Sequence, residues 1–81
     1  SANIRQSLDE MTAQLAPFSG RPLFMGAIEQ TSWGLYHLQY ALDRGIDPWD
    51  GEAAGVILSE KPVPGAEKRG ELAWGLAIYE R

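Results

Sequence analysis

The sequence has no cysteine and only one histidine, His37. Without cysteine the chain can form neither a disulfide nor a thiolate metal site, and it offers no cysteine nucleophile. One imidazole cannot build a multi-histidine metal site, and Glu29 lies eight residues before His37, whereas helical carboxylate–histidine motifs use spacings of three or four. The sequence therefore predicts no metal and no cofactor. Lack of cysteine also favours a reducing, cytoplasmic location.

Basic residues and long apolar runs are also scarce. Seven lysines and arginines against eleven aspartates and glutamates give a net charge of −4, which would repel a phosphate backbone. Glycine, glutamate or glutamine interrupts each apolar stretch well before the roughly 20 residues that a membrane helix needs. The first residues show no basic segment followed by an apolar one, as a signal peptide would. We expect no nucleic-acid partner, no membrane span and no secretory leader.

No catalytic motif is visible either. No serine lies in a strand–elbow–helix motif, and the nine glycines form neither GxGxxG nor GxxxxGK. The hydrophobic fraction of 44% and charged fraction of 22% are ordinary for a folded protein, and 81 residues suit one domain. The sequence predicts a single domain over residues 1–81, with no catalytic residues and no enzymatic activity.

Apolar spacings of three and four residues favour an all-α, compact four-helix domain. The first such stripe runs from Ile4 to Leu15 and the second from Phe24 to Leu42. Gly45 suits the end of the second helix, and Asp47-Pro48 suits an N-cap and first position of a third. Two prolines, Pro62 and Pro64, end that third helix, and residues 66–81 form the fourth.

Residues 66–81 also fit a strand. At a period of two, Leu72, Trp74, Leu76 and Ile78 share one face, and residues 55–59 are a candidate pairing partner. The alternative fold is therefore α+β, with a C-terminal hairpin over about residues 55–80. The helix is preferred because alanine, glutamate, lysine, arginine and leucine dominate the segment, and alanine is a poor strand residue.

Two surfaces are candidates for partner binding. On the second helix, a face opposite the apolar stripe is the first, and it consists of Glu29, Trp33, Tyr36, His37, Tyr40 and Arg44. Such a face is either covered inside the domain or is an interface rich in hot-spot residues. The second is a helix–helix seam of small residues, Ala66, Gly70, Ala73 and Ala77, with Trp74 and Ile78 on a neighbouring side.

These surplus apolar faces predict a protein-interaction or assembly module, either a homo-oligomer or a subunit of a larger complex. The second hypothesis is a small helical binder that holds an apolar ligand between aromatic side chains. Solution mass distinguishes the two, because only the assembly module requires a dimer.

Overall fold

A computed structural model of the chain describes residues 9–28, 39–72 and 75–81. Its five strands form one sheet: β1 (Leu23–Met25), β2 (Asp47–Pro48), β3 (Val56–Ser59), β4 (Glu67–Glu71) and β5 (Ala77–Glu80). Helical backbone covers residues 9–14 and 39–44, and a 3-10 turn covers Ala16–Phe18. The fold is α+β. The predicted all-α helical bundle is therefore wrong, and the alternative with C-terminal strands describes the architecture.

The sheet is mixed, with the strand order β2-β1-β3-β5-β4. Strand β1 runs parallel to both β2 and β3, with Phe24 opposite Asp47 on one side and Ile57 on the other. Strand β5 is antiparallel to β3 and to β4. The carboxyl ends of β1, β2 and β3 consequently lie at the same edge of the sheet.

Strand β3 occupies the segment that the sequence predicted as the third helix. Its residues Val-Ile-Leu-Ser are buried on both faces, which is typical of a central strand with neighbours on either side. A run of four residues with two β-branched side chains is too short to bury a helix face but fits a pleated strand. The prediction of a helix from Asp47-Pro48 is wrong, because those two residues form edge strand β2.

The last segment follows the two-residue period rather than the helical one. Leu72, Leu76 and Ile78 pack in one core cluster, whereas Ala77 and Tyr79 pack in the other. The predicted partner of this segment, residues 55–59, does pair with it, through Val56 opposite Glu80 and Ser59 opposite Ala77. The predicted fourth helix is wrong.

The helix predicted from Phe24 to Leu42 is wrong at its beginning, where Leu23–Met25 form β1. Its predicted end is confirmed, because residues 39–44 are helical and Gly45 follows with φ of 64°, a conformation that glycine adopts without strain. Residues 29–38 between them lie outside the described part of the chain.

Two apolar layers cover the sheet. On one face, residues from the helical segments pack on the strands, and this cluster contains Met11, Met25, Tyr40, Ala41, Val56, Leu58, Leu72, Leu76 and Ile78. On the other face, loop residues Val63, Trp49 and Ala66 cover Ile57 and Tyr79. None of the described helices has the length and apolar character needed to cross a bilayer.

Candidate functional site

An apolar pocket of about 250 Å³ opens at the carboxyl ends of β1 and β2. Its described lining residues are Met25, Gly26, Ile28, Ala41, Leu42, Ile46 and Pro48. Sheets with parallel strands commonly bind ligands just beyond these strand ends, because the chain leaves the sheet there and opens a crevice. We call this cavity and its lining residues the apolar pocket.

Backbone pairing fixes one wall of the apolar pocket. Met25 is the last residue of β1 and lies opposite Pro48, the last residue of β2. The N–H of Trp49 donates to the carbonyl of Met25 at 2.7 Å, which continues the pairing beyond the strand. Because proline has no N–H to donate, Pro48 suits an edge strand and presents its ring to the pocket without losing a hydrogen bond.

The helical residues 39–44 supply the opposite wall through Ala41 and Leu42. At Gly45 the chain reverses in a left-handed conformation, and the N–H of Ile46 then donates to the carbonyl of Ala41 at 2.9 Å. Because of this reversal, Ile46 lines the same pocket as Ala41 and Leu42 of the preceding helix.

Leu42 lies at the rim of the apolar pocket with 75% of its surface exposed. It is the one large hydrophobic side chain in the described part of the chain that is mostly exposed. Its neighbours are polar: Gln39 Nε2 donates to Asp43 Oδ1 at 2.7 Å, and Arg44 is also exposed. An apolar hollow and an apolar projection therefore adjoin within one surface.

The described lining of the apolar pocket offers mainly apolar contact. None of its described lining residues has a charged side chain, so the pocket suits an apolar group. Elsewhere in residues 9–28, 39–72 and 75–81, no three His, Cys, Asp or Glu side chains converge as metal ligands would.

Of the six residues of the predicted aromatic face, the structure describes two. Tyr40 is 1% exposed and belongs to the core, with its hydroxyl 3.3 Å from Thr12 Oγ1. The Arg44 guanidinium stacks 4.1 Å from the centre of the Tyr40 ring and donates to the same Thr12 Oγ1 at 2.9 Å. Glu29, Trp33, Tyr36 and His37 lie outside the described residues.

The described residues of the predicted seam, Ala66, Gly70, Ala77 and Ile78, do not share one surface. Ala77 and Ile78 are buried on opposite faces of β5, and Gly70 lies in β4. Ala66 precedes β4 and packs with the loop-covered cluster. Ala73 and Trp74 lie outside the described residues. The helix that would carry this seam is absent from the described residues, and the described members of the seam lie in and beside strands.

Sequence reasoning missed the apolar pocket. The sequence predicts Leu42 in the core stripe of the second helix, whereas the structure exposes it, because this turn of the helix buries Tyr40 and Ala41 and leaves Leu42 on its other side. The only local signal was an apolar residue, Ile46, directly after the helix-ending Gly45.

Charged groups cluster away from the apolar pocket's described lining. Glu80 accepts from Arg21 at 2.7 Å and from Arg69 at 3.0 Å, and Arg69 also pairs with Glu67 at 3.1 Å. Two acids and two bases thus neutralise one another across β4, β5 and the segment before β1, and they leave little excess charge for an anionic ligand.

The hydrogen bond and charge of Glu71, at 2.7 Å, raise the pKa of the Lys68 amine, and Lys68 lowers the pKa of Glu71 in the same way. Both groups are exposed on the edge strand β4, and neither lines the apolar pocket. Their shifts report a surface ion pair and not a catalytic pair.

Comparisons of this chain with protein-family models, with curated proteins and with solved structures give no match, so the apolar pocket is interpreted from its geometry.

Proposed function

We propose that the protein is a non-catalytic interaction module that takes an apolar side chain of a partner protein into the apolar pocket. The observation that supports this proposal is Leu42, 75% exposed beside a hollow with apolar walls. Complete burial of a leucine is worth roughly 1.5–3 kcal/mol, so a partner that covers Leu42 gains most of that free energy. Trp, Tyr and Arg anchors are not needed for such a contact.

The size and lining of the apolar pocket favour a side chain over a small molecule. Ligand sites are usually about 300–1,000 Å³ and include a few polar groups that orient the ligand. This pocket is about 250 Å³, and its described lining has no polar side chain. None of those lining residues is aromatic, so this pocket is a different site from the aromatic one of the second hypothesis.

Methyl NMR tests the proposal directly, at a concentration at which the chain sediments as a monomer. N-acetyl-leucine amide and N-acetyl-phenylalanine amide serve as probes, and N-acetyl-glutamine amide is the polar control. We expect the apolar probes at millimolar concentration to shift the methyl signals of Met25, Ile28, Ala41 and Ile46. The Val63 methyls, on the other face of the sheet, should not respond.

Two variants of Leu42 give matched controls, and both should fold because the side chain is exposed. Leu42→Asp places a carboxylate at the rim and should weaken probe binding at least tenfold. Leu42→Met conserves volume and apolar character and should bind as the parent does. The proposal is overturned if neither apolar probe shifts these methyls, or if a compact hydrocarbon such as benzene binds far more tightly than both, which would indicate a small-molecule site.

A further inference from the structure

We infer that the partner is a second copy of this chain, with the two Leu42 side chains exchanged between two apolar pockets across a two-fold axis. This inference rests on the proposed interaction function and names its partner. Leu42 lines the apolar pocket and is also largely exposed at its rim.

A two-fold interface must be complementary to itself, because the same patch is supplied by both copies. A patch that has only a hollow or only a projection fails this condition. Here the hollow and the projecting leucine occupy one patch, and a hollow of about 250 Å³ accommodates an aliphatic side chain of that size. Reciprocal insertion fills both pockets and buries both leucines in one step.

The charges beside Leu42 permit such pairing. Asp43 and Arg44 follow it directly and carry opposite charges, so these two residues offset one another. The exposed Asp47, between the lining residues Ile46 and Pro48, adds one negative charge. A second copy approaching along this face therefore meets much less repulsion than the net charge of −4 would produce if it were concentrated there.

Neither edge of the described sheet suits self-association in which a second copy adds a strand. Strand β4 is the edge on one side, carries Glu67, Lys68, Arg69 and Glu71, and has an irregular register between Lys68 and Gly70. Strand β2 is the other edge, only two residues long and ending in Pro48. Charge, irregularity, shortness and proline are the features that prevent edge-to-edge pairing, so among the described residues the patch around Leu42 suits a second copy better than either sheet edge does.

Sedimentation velocity of the full chain and of single variants tests this inference. The parent should form a dimer of 8.9 kDa chains at tens to hundreds of micromolar. Leu42→Asp and Leu42→Lys should each weaken the dimer at least tenfold, because reciprocal exchange brings like charges together. Mixing these two variants in equal amounts should restore a heterodimer, because unlike charges then meet across the axis.

Two further variants complete the test. Leu42→Met should dimerise as the parent does, and so should Ala54→Asp, which adds the same charge at an exposed position of the loop between β2 and β3. A parent that stays monomeric to one millimolar overturns the inference, as does a mixture of Leu42→Asp and Leu42→Lys that forms no heterodimer. A monomeric parent whose Met25 and Ile46 methyls still respond to N-acetyl-leucine amide would retain the proposed function with a different partner.

Discussion

Gly26 passes so close to Ser59 that a Cβ atom added to Gly26 would lie 2.9 Å from the Ser59 Cβ. Ser59 has little freedom to move away, because it is buried and its hydroxyl donates to the carbonyl of Lys61 at 2.7 Å. The Gly26 N–H also donates to the carbonyl of Leu58 at 2.7 Å. Gly26 therefore fixes the end of β1 against β3, directly beside the apolar pocket.

Gly26→Ala should destabilise the fold by about 1–3 kcal/mol, because the added methyl group overpacks a contact that cannot relax freely. Urea unfolding followed by tryptophan fluorescence measures the change. Gly70→Ala is the matched control, since its Cβ would meet only Ile78 Cδ1 at 3.9 Å, an ordinary contact. Equal stability of Gly26→Ala and the parent would contradict the close approach of β1 to Ser59.

Tyr40→Ala should cost about 3–5 kcal/mol of folding free energy, because the ring is almost completely buried in the core. Tyr40→Phe keeps the ring and loses only the hydroxyl contact with Thr12, so it should cost about 0.5–1.5 kcal/mol. Leu42→Ala, on an exposed side chain, should change stability by no more than about 0.5 kcal/mol. Chemical unfolding under monomeric conditions measures the free energy of unfolding of the three variants and distinguishes them. A Tyr40→Ala variant as stable as the parent would show that Tyr40 belongs to an interface and not to the core.

Some of the fold could be predicted from the sequence because it depends on local chemistry. Gly45 ends its helix as predicted, since a left-handed residue at that point is a property of the chain itself. The pairing of residues 55–59 with the last strand was also available as the alternative. The choice of helix for 66–81 failed because the segment fits two periods. Leu72, Leu76 and Tyr79 form a stripe at 3.6 residues, whereas Leu72, Leu76 and Ile78 share a face at a period of two, and alanine and leucine content then favoured the helix. Pairing with a fully buried neighbour, β3, outweighs that intrinsic preference.

The apolar pocket was beyond sequence reasoning for a different reason. Its walls come from two separated stretches, residues 25–28 and 41–48, which meet only after β1 and β2 pair in parallel. Spacing within one helix cannot reveal a surface that arises from non-local pairing. The exposure of Leu42 depends likewise on where its helix lies relative to the sheet, and helical periodicity alone assigned that leucine to the core.

Acid should destabilise the loop after β2, because it protonates Asp50. Hydrogen bonds from the N–H groups of Ala53 and Glu52, at 2.9 and 2.8 Å, lower the pKa of the Asp50 carboxyl from its ordinary value. Because the pKa of Asp50 is lower in the folded chain, its contribution to stability is complete above the unfolded-state pKa of about 4. That contribution is lost as the pH falls through the folded-state pKa. NMR titration of the Asp50 side-chain carbon should therefore give a midpoint below the ordinary value.

Asp50→Ala removes the acceptor and supplies the control for this loop. Its free energy of unfolding should be lower than the parent's at neutral pH. The difference between the two should shrink below about pH 4, where the parent's carboxyl also loses its charge. A constant difference from pH 7 to pH 2 would indicate that the charge of Asp50 contributes nothing and that only the local backbone has changed.

Strand β4 offers the clearest test of whether its charges protect the sheet edge. The Lys68–Glu71 ion pair, at 2.7 Å between exposed side chains, should contribute little to folding because water screens it, so Lys68→Val/Glu71→Val should still fold. The resulting edge keeps Glu67 and Arg69 but exchanges two of its four charges for valine, and it should recruit other chains by strand addition, with light scattering and thioflavin T fluorescence rising over hours. The exchanged pair Lys68→Glu/Glu71→Lys keeps the charges and should behave as the parent.

Adding Leu42→Asp to the valine variant should leave its aggregation unchanged, because strand addition and the leucine patch use different surfaces. If the valine variant stays as soluble as the parent, the irregular register between Lys68 and Gly70, together with Glu67 and Arg69, is enough to block the edge without the Lys68–Glu71 pair.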